Sequence, residues 1–163
     1  MNTNRKLRRC KADLVEVFGG NANITACALE WNLKALQPID RVHGINLDTK
    51  ADYVWVRNAL NKWSPLLTLI EPECRLWSPL TNMNYYWRPE ELQQLRLDAQ
   101  VAVEGVADTV RDILKDGRYF LLENPHNGAF WSQPAMVKLM SEHNLLYDFG
   151  LCVPMVCGGE MVC

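Results

Sequence analysis

The stretch LLTLIEPECRLWSPL, residues 66–80, ends an apolar run on Pro72, Glu73, Cys74, Arg75, Trp77 and Ser78. A strand that only filled a core would not need that ending. A cysteine at such a tip is a candidate nucleophile: Arg75 beside it favours the reactive thiolate, and Glu73 opposes it. The plainer reading is a small, inert thiol. A second ending of the same kind is FLLENPHNG, residues 120–128, where Glu123 and Asn124 interrupt an apolar run. A carboxyl placed there costs desolvation unless it is paired or used. Desolvation raises its pKa toward the range in which it can share a proton with a substrate. Its plainer role is to bond loop backbone.

A third feature is EVFGGNANIT, residues 16–25. Gly19 and Gly20 let backbone approach a ligand closely, although the full GxGxxG spacing is absent. Asp40 follows a short apolar stretch and has the chemistry to accept bonds from ribose hydroxyls; Asp48 is a weaker candidate of the same type. Trp77, Tyr85, Tyr86, Trp87, Phe130 and Trp131 flank the two strand endings. They either stack on a base or pack the loops over the sheet edge. His43, His126 and His143 show no metal-triad spacing, and the cysteines at 10, 27, 74, 152, 157 and 163 contain no CxxC pair. Those cysteines are expected as reduced thiols.

These residues need elements to position them. Strands are expected over 13–18, 33–40, 65–70, 118–123 and 145–150. Helices are expected after Asn23 as a cap, over 50–63, where the β-branched residues leave a strand open, over 90–117 behind Pro89, and over 132–144. Residues 77–89 read as a loop. Leu92, Leu95, Ala99, Val103, Val106 and Val110 recur on one face of the long helix, and Gly117 stops it. Such alternation predicts an α/β fold: a Rossmann-like, mostly parallel sheet with helices on both faces. Ligands in that architecture lie beyond the carboxyl ends of the strands, where Gly19, Gly20, Asp40, Cys74 and Glu123 fall.

Length and charge set the outer bounds. The chain has 163 residues, enough for one domain with a core, and a net charge of −2 that does not advertise a nucleic-acid binder. The dense basic cluster at Arg5, Lys6, Arg8, Arg9 and Lys11 is the local exception. It reads as a solvated tail or a phosphate-contacting arm. No apolar run is long enough for a membrane span and no secretory apolar segment precedes Asp13, so a cytoplasmic or nuclear, non-secreted setting is expected. The expected organisation is a basic tail over 1–12, a catalytic-type domain over 13–151 and a C-terminal tail over 152–163.

Taken together, the motifs resemble the catalytic half of the DNA cytosine-5 methyltransferase family. In that family a phenylalanine–glycine turn closes the first strand around S-adenosylmethionine. Glu16, Phe18, Gly19 and Gly20 match it, and Ala22 stands where a later glycine is expected. Asp40 resembles the acid that meets the cofactor ribose, and Asp48 the acid near the adenine amino group. PECRLWS, residues 72–78, resembles the family's proline, proline, cysteine, glutamine catalytic loop, with Glu73 for the second proline and Arg75 for the glutamine. Glu123, Asn124 and Pro125 take the place of its glutamate, asparagine, valine motif.

The resemblance implies a truncated methyltransferase-type fold with S-adenosyl-L-methionine as cofactor, held by Phe18, Gly19, Gly20, Asp40, Asp48 and Pro72. Cys74, Glu123, Asn124 and Arg75 would be catalytic. It implies methylation of cytosine C5 in DNA, with RNA or a small molecule as the alternative substrate. The family's later glutamine–arginine–arginine motif and its recognition domain have no counterpart, so a protein partner supplying target recognition is expected. A catalytically degenerate module that binds nucleic acid or a protein is the alternative of a different class.

Overall fold

The computed structural model describes residues 10–143 and Leu145. The basic cluster up to Arg9, most of the strand expected over 145–150, the tail over 152–163 and the boundary at 151 lie outside the described residues.

Three parallel strands form the sheet in the order β1 (Ala12–Val17), β2 (Pro65–Ile70), β3 (Tyr119–Leu122). Val15 pairs with Thr68 and Thr68 with Phe120; Val17 pairs with Ile70 and Ile70 with Leu122. Strand side chains alternate between faces, so this register sorts the apolar residues into two groups. Val15, Val17, Ile70, Phe120 and Leu122 face the large core. That core is completed by α2 (Lys50–Trp63), α5 (Gln100–Lys115) and α6 (Pro134–His143). Leu14, Leu67 and Leu69 face the opposite side, where Ala28 and Ile24 of α1 (Asn23–Glu30) cover them. The expected α/β architecture with helices on both faces is therefore present.

Five local expectations change. Residues 33–40 do not form a ladder strand. They run parallel to the free edge of β1 through two isolated bridges, Leu14 with Ala35 and Val17 with Ile39. Pro38 lacks an amide donor and breaks the run. Asn23 does not cap α1: Ala22 holds the cap position in a left-handed conformation, without a side-chain bond. Residues 77–89 contain a helix, α3 (Pro79–Asn84), because Ser78 caps it and Pro79 occupies its first turn. The long helix is two helices, α4 (Pro89–Asp98) and α5, divided at Ala99, whose ψ of −3° interrupts the helical path. Cys27 is disulfide-bonded, so it is not one of the expected reduced thiols.

Chain order decides where a ligand can enter. From β1 the chain passes through α1 to the 35–39 edge. It then crosses back through α2 to β2 on the other side of β1. The two crossovers leave β1 in opposite directions, which opens a crevice between the carboxyl ends of β1 and β2.

Candidate active site

A crevice of about 600 Å3 lies at that switch point. Its walls include Phe18 from the end of β1, Asp40 and Arg41 from the end of the 35–39 edge, Glu71, Pro72 and Glu73 from the end of β2, and Ala99, Ala102 and Val103 from the helical layer. Leu47, Asp48, Trp77 and Phe130 complete the part that matters here. Of the six residues expected from sequence to bind one ligand, Phe18, Asp40, Asp48 and Pro72 line this cavity, while Gly19 and Gly20 lie outside its lining.

The β1–α1 turn is built under strain. Phe18, Gly20 and Ala22 all have positive φ, at 64°, 50° and 57°. Only glycine takes that region without cost, so the two other residues are held there by their surroundings. Gly19 packs on Glu16: a Cβ at Gly19 would stand 2.7 Å from the Glu16 Cβ. Glu16 is buried, and its Oε2 accepts the Thr25 amide at 2.6 Å. It satisfies an otherwise orphaned donor of the first turn of α1, the task expected of Asn23.

Asp40 ties this turn to the neighbouring edge. One carboxylate oxygen accepts the Gly20 amide at 3.1 Å and the other the Val42 amide at 2.8 Å. A carboxylate has about four acceptor sites, so two bonds leave capacity for a ligand. Asp48 is exposed and pairs with Arg41 at 2.5 Å across the crevice wall.

The cysteine loop is anchored through its carbonyl groups. Pro72 accepts from the Asn124 side-chain amide at 3.0 Å. Cys74 accepts from the Trp77 and Ser78 amides, both at 2.9 Å. Arg75 accepts from the Thr81 hydroxyl, Leu76 from Arg96 Nε at 2.9 Å, and Trp77 from the Ala129 amide at 2.7 Å. The backbone is thus fixed while the Cys74 side chain is exposed and unbridged. Arg75 does not face the thiol alone: it pairs with Glu73 at 3.1 Å, and both side chains are largely solvent-exposed.

The bond from Asn124 to Pro72, 52 residues apart in sequence, joins the two motifs on separate strand ends. Asn124 is buried, and Trp131 Nε1 donates to the Asn124 and Pro125 carbonyls at 3.3 and 3.0 Å. Gly128 allows this closure, since a Cβ there would meet the Pro125 carbonyl oxygen at 2.9 Å.

Glu123 departs from expectation: it is exposed rather than desolvated. The half-buried carboxyl at the strand tips is Glu71, which lines the crevice. Burial pushes its pKa up, and the neighbouring Glu16 and Glu123 push it in the same direction. The sequence signal was available, because Glu71 closes the apolar run PLLTLI as Glu123 closes YFLL.

The aromatic set divides. Trp77 and Phe130 are buried and pack edge to face at 6.3 Å, as loop-packing residues. Tyr86 and Trp87 are exposed, Trp87 to 87%. Among the described residues, no His, Cys, Asp and Glu side chains group to hold a metal ion, and no helix is long and apolar enough to cross a membrane. No known protein family, curated protein or solved structure matches the chain.

Proposed function

We propose that the chain is an S-adenosylmethionine-dependent methyltransferase of the cytosine-5 type, acting on DNA through Cys74. The observation that carries this reading is that Phe18, Asp40, Asp48 and Pro72 line one crevice beside a loop that presents an exposed cysteine. The cavity volume is within the range of small-molecule sites. Its lining also suits the ligand's charge: among the described residues, Asp48 pairs with Arg41 and Glu73 with Arg75, and Asp40, Glu71 and Asp98 remain as acids in the wall. Such a wall favours a sulfonium, and Phe18, Leu47 and Trp77 offer apolar surface for an adenosine.

The cofactor supplies an electrophilic methyl group when bound. The chain's own residues must make cytosine C5 nucleophilic. The Cys74 thiolate adds to C6, forming a C6–S bond and moving the C5–C6 electron pair to C5 as an enamine, while N3 takes a proton from a carboxyl. Glu123 is the sequence-derived donor for that proton, and Glu71 is the half-buried carboxyl beside it. Once C5 has taken the methyl group, with the rest of the donor leaving as a neutral thioether, loss of the C5 proton to solvent base re-forms the C5–C6 double bond and breaks the C6–S bond to free the Cys74 thiolate, and N3 returns its proton to the carboxylate. Asn124 holds the loop through Pro72. In duplex DNA the base must first leave the stack, and Tyr86 and Trp87 are exposed aromatic surface of the kind on which a base stacks.

The second reading, a degenerate module that binds nucleic acid or a protein partner, is favoured by the Glu73–Arg75 pair. That pair neutralises the cation nearest the thiol in sequence.

Calorimetric titration with S-adenosylmethionine separates the two. The proposal expects binding that Ala102→Trp abolishes by filling the crevice, and a covalent adduct with 5-fluorocytosine DNA that Cys74→Ser does not form. A folded protein that binds no cofactor, or a Cys74→Ser variant with full activity, would sink it.

A further inference from the structure

We infer that Arg96 is the positioning residue for Cys74, an assignment that rests on the cysteine-nucleophile reading above. Arg96 lies on α4, and its guanidinium is half-buried against the cysteine loop. Nε donates to the Leu76 carbonyl at 2.9 Å and Nη2 to Asn82 Oδ1 at 2.9 Å. The guanidinium carbon lies 6.0 Å from the centre of the Trp77 ring. One side chain therefore grips the loop two residues after Cys74, the short helix α3 that follows, and the buried aromatic between them. Among the described residues no carboxylate pairs with Arg96, so both of these hydrogen bonds go to neutral acceptors.

The grip is directional. Asn124 anchors the loop upstream at Pro72, and Arg96 anchors it downstream at Leu76. Cys74 stands between the two anchors, with its carbonyl closing the turn on the Trp77 and Ser78 amides. A planar fork can span Leu76 and Asn82 at fixed separation; an ammonium offers a point charge without that geometry. The break at Ala99 has a role here, since it separates the direction of α4, which reaches the loop, from that of α5, which fills the core.

Two measurements test this on the full chain, using Arg96→Ala and Arg96→Lys with urea unfolding to confirm a folded state. The first is hydrogen exchange at the Trp77 and Ser78 amides. Both variants are expected to lose protection there, by about tenfold or more in Arg96→Ala, while the β2 amides keep theirs. Unchanged protection overturns the assignment. The second is the rate of adduct formation on 5-fluorocytosine DNA with S-adenosylmethionine. The maximal rate is expected to fall about tenfold or more in Arg96→Ala at an unchanged half-saturating cofactor concentration. A rate equal to wild type, or a loss confined to cofactor affinity, overturns it. If the wild-type chain forms no adduct, the proposed reaction fails instead, and amide protection alone decides whether Arg96 holds the loop.

Discussion

At the scale of single residues, the first turn is the most informative place. Ala22 sits where the resemblance expects a glycine, and it adopts the left-handed conformation that glycine favours. Replacing it removes strain, offset in part by the greater freedom of glycine in the unfolded chain. Ala22→Gly is therefore expected to stabilise the fold by about 0.5 kcal/mol, read from urea denaturation. Gly19→Ala should go the other way by about 1–3 kcal/mol, because the new methyl meets the buried Glu16 Cβ and a backbone shift must relieve it. Glu71 gives a pH signature. Its pKa is raised in the folded state, so the folded state binds more protons than the unfolded one between the two values. The stability this contributes is full below the unfolded pKa and is lost as pH rises through the folded one. Glu71→Gln should flatten that decline and leave the protein more stable at neutral pH. Denaturation midpoints from about pH 4 to about pH 8 would show it, and parallel curves for the two proteins would refute it.

At the scale of elements, the question is what joins the two strand endings. Asn124→Ala leaves the Pro72 carbonyl without its partner in a buried place. A cost of about 1–3 kcal/mol is expected, with the loss of amide protection concentrated in residues 72–78. Periodicity identified β1, β2 and β3 because their patterns are local; for α2 it favoured the helix that is present over a strand. It ran α4 and α5 together because Ala99 is a good helix former and its ψ of −3° has no local cause. The separation is favoured by what α4 contacts, namely Leu76 and Asn82 through Arg96. The short helix α3 had a readable cap in Ser78 and Pro79, but at six residues its apolar pattern was too brief to stand out.

At the scale of the whole molecule, the helical layer is closed by a contact that helix propensity would oppose. Gly105 lies inside α5, where alanine would be preferred by about 1 kcal/mol. Yet a Cβ there would fall 2.2 Å from the Tyr53 ring of α2. Overpacking of that kind costs about 1–3 kcal/mol, so Gly105→Ala is expected to destabilise the protein on balance and lower its thermal midpoint. Tyr53 also touches the site from behind, with its ring 6.4 Å from that of Phe18. Displacing it would disturb the strained turn, and through that turn the crevice.

Legible in the sequence were β1, β2 and β3 with helices between them, and the placement of Gly19, Gly20, Asp40, Cys74 and Glu123 at the carboxyl edge. Each follows from local pattern and a fixed period. Tertiary structure alone decided which of those residues meet. The opposite crossovers from β1 bring Asp40 and Pro72 to one crevice, and strand register sets Glu71 beside Glu123. Burial, too, is a property of neighbours distant in sequence. Glu16, inside the apolar run of β1, is enclosed by the α1 turn, and Glu123, at the end of another, is left exposed.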